Sequence, residues 1–198
     1  MSLFPGRIRR KPEAPRSSLR LEAGHKLYHA GSEGLAWRLS QGVVRLDTVL
    51  QGETSFASLA IAGDILGCET LLFGAYTFSA SALTQCELTP WPEGEGAASG
   101  ESLLESLALA QRRAADVVAL RGGQAADRVL GLIRLLGDEA GRVVLPTRQD
   151  IADITNLRFE TISRIIKSLE RSRILAPIRI DGVHATRSFS VNLASLAG

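Results

Sequence analysis

The chain reads as α+β: a small N-terminal β-sandwich or roll, then a long helix, then a C-terminal helix-turn-helix with a wing. Three observations predict this order. The first half consists of short β-like runs broken repeatedly by glycine. A stretch with apolar and small residues at heptad steps follows, over Glu101–Leu120. The segment PTRQDIADITNLRFETISRIIKSLE (Pro146–Glu170) then carries a helix start, a turn and a second helix.

Residues 1–18 form a basic tail. Between Arg7 and Arg20 the basic residues are Arg7, Arg9, Arg10, Lys11, Arg16 and Arg20, against Glu13 alone. Such a run either touches phosphates or stays solvated, and the second reading, a disordered tail, is preferred. Residues 19–98 form the roll. Its breaks fall at Gly24, Gly31, Gly34, Gly42, Gly52, Gly63, Gly67 and Gly74, and its clearest strands are VVRLDTVL (Val43–Leu50) and SFASLAI (Ser55–Ile61). PEGEGAASG (Pro92–Gly100) marks a loop.

Residues 99–122 hold the long helix. Leu103, Leu107, Ala110, Ala114, Val117 and Arg121 step by four and three, a seam whose small central residues let two helices approach closely. Leu103, Leu107, Ala110, Ala114 and Val117 are therefore the expected dimer interface. Leu104, Val118 and Leu120 lie off the seam and are free to pack on the helix's own roll. Gly122-Gly123 breaks the helix and serves as a hinge. Residues 123–198 make the last unit, opening with an amphipathic helix over Gln124–Leu136 that presents Val129, Leu132, Ile133 and Leu136.

In the helix-turn-helix, Thr147 caps the first helix, and Asp150 three residues on approximates a capping box. Asn156 tolerates turn geometry. The second helix runs over Phe159–Arg171. Ile162, Ile165, Ile166 and Leu169 form its inward face, while Glu160, Ser163 and Arg164 share another face. A packed back with a polar front suits a recognition helix lying in a major groove. Arg donates two bonds to guanine O6 and N7, and Glu accepts from cytosine N4. An isolated Glu–Arg pair one turn apart would more simply be a surface ion pair. The capped helix before it, the turn and the apolar back favour DNA. Glu160, Ser163 and Arg164 are the expected base readers, and Thr147, Arg148, Arg158, Thr161 and Lys167 the expected contacts to the DNA backbone. RIDGVHATRSFSV (Arg179–Val191) reads as a β-hairpin with Asp181-Gly182 at its turn, which places a wing beside the recognition helix.

ETISRIIKSLE resembles the recognition helix of the Crp–Fnr family of bacterial transcription regulators, and its E-x-x-S-R triplet resembles the Fnr branch. That resemblance implies a TTGA-type half-site read by Glu160, Ser163 and Arg164. The cyclic-AMP receptor branch carries Arg immediately before the Glu, where this chain has Phe159. Members usually place Ser or Thr at the N-cap, and here Arg158, which cannot accept from helix amides, stands there. LEAGHKLYHAGSEG and LAIAGDILG resemble the family's cyclic-nucleotide-binding β-roll, a jelly roll. The resemblance spans about Leu19 to Val191.

In nucleotide-binding members, a Glu for the ribose and an Arg for the cyclic phosphate follow the G-D-x-x-G strand. Here the stretch is GDILGCETLLFGAYTFSASALTQCEL (Gly63–Leu88). Glu69 lies near the ribose position, shifted by one. Tyr76-Thr77-Phe78-Ser79 stands at the phosphate position, with no Arg or Lys between Glu69 and Leu88. A buried cyclic phosphate would lack its charge-assisted partner, and Tyr76 and Phe78 are expected to fill the pocket. No binding of cyclic AMP is expected.

Composition narrows the rest. A net charge of +2 carries no whole-chain argument for nucleic acid, but Arg142–Gly198 holds nine Lys/Arg against five Asp/Glu, or +4. No apolar run of transmembrane length and no signal-like N-terminus is present, so a cytoplasmic protein without membrane contact is expected. The first cysteine is Cys68, which rules out four thiolates from an N-terminal cluster for an iron–sulfur centre. His25 and His29 read as loop residues rather than haem ligands, and His184 falls in the wing. Cys68 and Cys86 leave a redox switch open, though free cysteines commonly act as small buried hydrophobes. No nucleophile elbow, P-loop or metal-ligand spacing indicates an enzyme. No catalytic residue, metal or cofactor is expected. The implied protein is a homodimeric regulator on an inverted repeat of double-stranded DNA that recruits or blocks RNA polymerase. The alternative is the same regulator gated by an unidentified small molecule or redox signal in the roll.

Overall fold

The computed structural model describes residues 18–50, 52–91, 100–180, 183–184 and 186–192, with side chains from residue 105 onward in the helix that begins at Gly100. The basic tail, the Pro92-to-Ser99 loop and the Asp181-Gly182 turn lie outside the described residues.

Eight strands and one short helix come first: β1 (Leu19–Leu21), β2 (Lys26–Tyr28), β3 (Ala36–Gln41), β4 (Val43–Leu50), β5 (Glu53–Ile61), β6 (Ile65–Leu66), α1 (Thr70–Phe73), β7 (Ser79–Ala82) and β8 (Cys86–Trp91). They form two four-stranded antiparallel sheets, ordered β1-β8-β3-β6 and β2-β7-β4-β5. Leu39, Val44, Ala60, Leu66, Ala80, Cys86 and Leu88 supply one buried core from both sheets. Alternation places every second side chain of a strand on that inner face. Gly42 joins β3 to β4 at a φ of +95°, and a Cβ there would collide with the Gln85 carbonyl and with Cys86. Only glycine combines that dihedral with so close an approach.

Then come α2 (Gly100–Ala119), α3 (Ala125–Leu136), β9 (Arg142–Val144), α4 (Arg148–Thr155), α5 (Phe159–Arg171), β10 (Leu175–Pro177) and β11 (Ser188–Val191). The strands of this part form a small antiparallel sheet, β10-β11-β9. Pro177, which has no N–H to donate, sits on the edge strand β10. The wing's first arm is thus Leu175–Pro177, earlier than the Arg179 expected from the sequence, because Phe189 pairs with Pro177. The strand β9 was not foreseen. It gains its place by pairing with β11.

A second core runs through both parts of the chain. It joins Val43, Phe56, Leu59 and Leu83 of the roll to Val117 and Leu120 at the end of α2, and to Val129, Leu132, Ile133, Ile151, Ile154, Ile162, Ile166 and Phe189 beyond the hinge. The helical unit is therefore docked on the roll. No described helix is long and apolar enough to cross a membrane.

Candidate nucleic-acid interface

Local chemistry builds the helix pair. Thr147 accepts from the Asp150 amide at 3.1 Å, and the Asp150 carboxylate takes the Thr147 amide at 3.3 Å, a reciprocal capping box. Asn156 ends α4 in the left-handed region at a φ of 52°. Asn tolerates that conformation because its short polar side chain bonds locally. Arg158 stands at the N-cap of α5 without a side-chain cap, as its chemistry requires.

α5 then presents two faces. Ile162 and Ile166 are fully buried, Leu169 is nearly so, and Ile165 packs against the same core. On the opposite side Glu160, Arg164 and Lys167 are exposed, and Ser163 and Thr161 are half-exposed. Among the described residues, Glu160 and Arg164 form no ion pair with each other or with a neighbour. The surface ion pair that the spacing alone would suggest is not formed, and both side chains are left with their full bonding capacity. Arg158 is also exposed. Arg148 differs: it is half-buried, which lowers its pKa, while the nearby Glu170 charge opposes that shift. Its guanidinium stays cationic, with the Glu170 charge of α5 nearby.

Arginines to which the sequence assigns no such role tie this unit to the roll and to the end of α2. Arg45 of β4 donates to Asp47 at 2.7 Å and to Asp153 at 2.9 Å, and reaches Asp150 at 3.4 Å. Burial pulls its pKa down, but the bonds to Asp47 and Asp153 outweigh burial and raise it. The Phe56 ring lies under two guanidiniums, Arg45 at 5.6 Å and Arg121 at 5.0 Å. Arg121 also donates to the carbonyls of Ile154 and Asp153, and Arg128 to those of Thr155, Gly122 and Gly123. Cations thus gather at the C-terminal end of α4, where the helix dipole favours them. Arg187 spans the junction, donating to Leu145 O and Leu83 O. The contacts that cross the junction, such as Arg45–Asp153, Arg121–Ile154 and Arg187–Leu83, join residues far apart in sequence, so no local pattern signals them.

α2 corrects part of the expected seam. Val117 is 6% exposed within a single chain and packs with Leu120 into the core, whereas Val118 is 72% exposed. Val117, expected on the seam, is thus taken up by the chain's own core, and Val118, expected to pack on the roll, faces outward. Leu107, Ala110 and Ala114 are exposed, in agreement with an outward face. Arg113 pairs with Asp64 of the roll at 3.0 Å, which sets the helix's rotation. Arg121, also counted on the seam, is spent on α4. The side chain of Leu103 lies outside those described.

Tyr76, at the position where the resemblance puts the phosphate-binding residue, lies in the core of the roll. Tyr76 stacks on Tyr28 with ring centroids 3.7 Å apart and planes within 4°. Its hydroxyl donates to Leu35 O at 2.7 Å, and added Cβ atoms on Gly34 or Gly67 would overlap its ring. The aromatic partner is Tyr28; Phe78 is only half-buried. Burial first, and the Glu69 charge second, raise the Tyr28 phenol well above its ordinary pKa. Glu69 accepts from the Thr77 amide at 3.2 Å. Cys86 is buried and Cys68 exposed, and burial raises both thiols. Neither is an activated thiolate. Among the described residues no group of three His, Cys, Asp or Glu is placed to hold a metal.

No family model matches the chain. Against curated proteins, it is 33% identical over 159 residues to the nitrogen fixation regulation protein FixK of Bradyrhizobium diazoefficiens, a match covering 72% of this chain and 66% of that protein, just under two thirds of its length. It is 28% identical over 174 residues to FixK of Rhizobium meliloti, covering 82% of each. Among solved structures, a CRP-family transcriptional regulator from Thermus thermophilus superposes with a TM-score of 0.66 at 26% identity, over 90% of this chain and 94% of that one. FixK2 from Bradyrhizobium japonicum gives 0.64 at 23%, over 89% and 92%, and shows the shared fold.

Proposed function

We infer that the chain is a DNA-binding transcription regulator of the Crp–Fnr family, and we propose that it acts as a homodimer on a TTGA-type inverted repeat without cyclic AMP. The observation that carries the proposal is the front of α5. Glu160 and Arg164 stand exposed and unpaired among the described residues, on a helix whose back is locked into the core. Arg164 reads guanine, Glu160 accepts from cytosine and Ser163 bonds beside them. Arg158, Thr161 and Lys167 hold phosphates, with Thr147 and Arg148 at the start of α4. Two chains joined along α2 through Leu107, Ala110, Ala114 and Val118 set their recognition helices about 34 Å apart, in successive major grooves. The dimer works in the cytoplasm on double-stranded DNA and acts on RNA polymerase.

The packing of Tyr76 supports independence from cyclic AMP. A cyclic phosphate there would have to displace the Tyr28–Tyr76 stack and find no cation between Glu69 and Leu88. Burying that charge without a partner is costly. The test combines two titrations of purified protein. Binding to an inverted TTGA-type repeat without ligand should fall steeply with salt, as counterion release requires. Calorimetry with cyclic AMP should give no heat. Binding that appears only on adding cyclic AMP would overturn this reading.

The alternative is gating by another small molecule. An open cleft of about 470 Å³, lined by Gln41, Val43, Ile61, Leu135, Leu136 and Arg142 among others, lies between the roll and the helical unit and favours it. Under that reading the purified chain fails to bind the repeat until the effector is supplied.

A further inference from the structure

We propose that Arg45 of the roll is a positioning residue for DNA: it offsets the charge of Asp150 and Asp153 on α4, so that a phosphate can settle at the start of that helix. The proposal rests on the reading of Thr147 and Arg148 as contacts to the DNA backbone. The start of α4 meets two opposed demands. Its capping box uses the Asp150 carboxylate, and the helix dipole favours an anion there. A DNA phosphate is an anion drawn to the same helix end. Asp150 bonds both the hydroxyl and the amide of Thr147, so its charge lies directly beside the expected phosphate contact. Asp153 follows one turn further along α4. Two uncompensated carboxylates at this place would repel the backbone they adjoin.

Arg45 answers that conflict from another part of the fold. Its guanidinium bonds Asp153 at 2.9 Å, reaches Asp150 at 3.4 Å and is held by Asp47 at 2.7 Å. The side chain is only 13% exposed and lies over the Phe56 ring, so it acts through α4 rather than by touching DNA. Arg187 lines the same cleft as Arg45, Thr147 and Asp150, but its guanidinium bonds the carbonyls of Leu145 and Leu83. Another described partner of Asp153 is the Gln149 amide, which is neutral. Docking by itself does not call for a cation here, because the shared apolar core already joins the roll to α4. One unbalanced charge beside a phosphate contact in water-like surroundings changes affinity by about twofold to threefold, or about fivefold over two half-sites.

The experiment titrates the full chain with a TTGA-type repeat at about 0.05 M and about 0.3 M salt, and follows the folding of each variant by circular dichroism. Arg45→Gln should bind about fivefold more weakly at low salt and approach wild type at high salt, where the charges are screened. Arg45→Lys keeps the charge but loses the fork, and should stay within about twofold of wild type at both. Asp153→Asn should bind more tightly than wild type at low salt, and should restore most of the affinity lost in Arg45→Gln. A loss in Arg45→Gln of equal size at both salts, or a loss as deep in Arg45→Lys, would make Arg45 a docking strut and overturn the proposal. Should Arg45→Gln fail to fold, Asp153→Asn alone decides: tighter binding at low salt supports the charge role, and unchanged or weaker binding refutes it. A wild-type chain whose binding to the repeat ignores salt would remove the backbone-contact reading and this proposal together.

Discussion

Arg164 and Lys167 are exposed cations three residues apart on one helix, yet they should fail differently. Arg164→Ala removes a two-bond guanine contact and should cost about 1–3 kcal/mol, relaxing preference at one base pair. Glu160→Ala should do the same at the pair that carries the cytosine. Lys167→Ala should weaken all sequences alike and reduce the salt slope by about one unit. Binding-site selection on these variants separates the two roles; an Arg164→Ala protein with the full wild-type preference would show that α5 docks otherwise. Thr147→Ala removes the capping box and should lower stability by about 1 kcal/mol, read in denaturant titration. An unchanged midpoint would mean that packing alone holds the start of α4. Caps and turns such as Thr147, Asp150 and Asn156 were legible in the sequence because their partners lie within a few residues. Arg45 was not. Its partners Asp150 and Asp153 are more than a hundred residues away, and β-strand alternation alone assigns it no role.

At the scale of elements, α2 shows the limit of a periodic pattern. A heptad with small residues announces a helix that can pair, but it does not fix which of two neighbouring lines faces inward. The Arg113–Asp64 pair and the burial of Val117 and Leu120 settle that. The outward line then predicts a contrast between two substitutions. Ala114→Asp lies on an exposed face of the single chain and should leave folding intact, while a symmetric seam would bury the charge beside its copy. Sedimentation should report folded monomers with weakened operator binding. Val117→Asp, by contrast, buries a charge in the chain's own core and should unfold it. A folded Ala114→Asp dimer would move the interface off this helix. β9 escaped notice for a related reason. A three-residue strand has almost no periodicity, and only its pairing with β11 gives it identity.

The whole molecule behaves as one packed body, since a single apolar core passes from the roll into the helical unit. The Arg45 cluster and the Phe56 ring lie across that junction. Arg45→Ala leaves Asp47, Asp150 and Asp153 without their shared cation and should cost about 1–3 kcal/mol. Hydrogen exchange should quicken along α4, and thermal unfolding should begin earlier. Unchanged exchange in α4 would show that the apolar core alone maintains the docking. The overall order of roll, long helix and helix-turn-helix was legible because glycine spacing, heptads and capping are written locally. The docking was not, because it depends on side chains brought together only by the finished fold.

The central claim is that this chain reads a defined DNA sequence with the front of α5 and needs no cyclic nucleotide to do so. The measurement that tests it most directly is selection of binding sites from a random double-stranded pool by the purified protein, with and without cyclic AMP. The account predicts enrichment of an inverted TTGA-type repeat, half-sites one helical turn apart, to the same degree in both conditions. Enrichment of no sequence without the nucleotide, or of an unrelated motif, would contradict it.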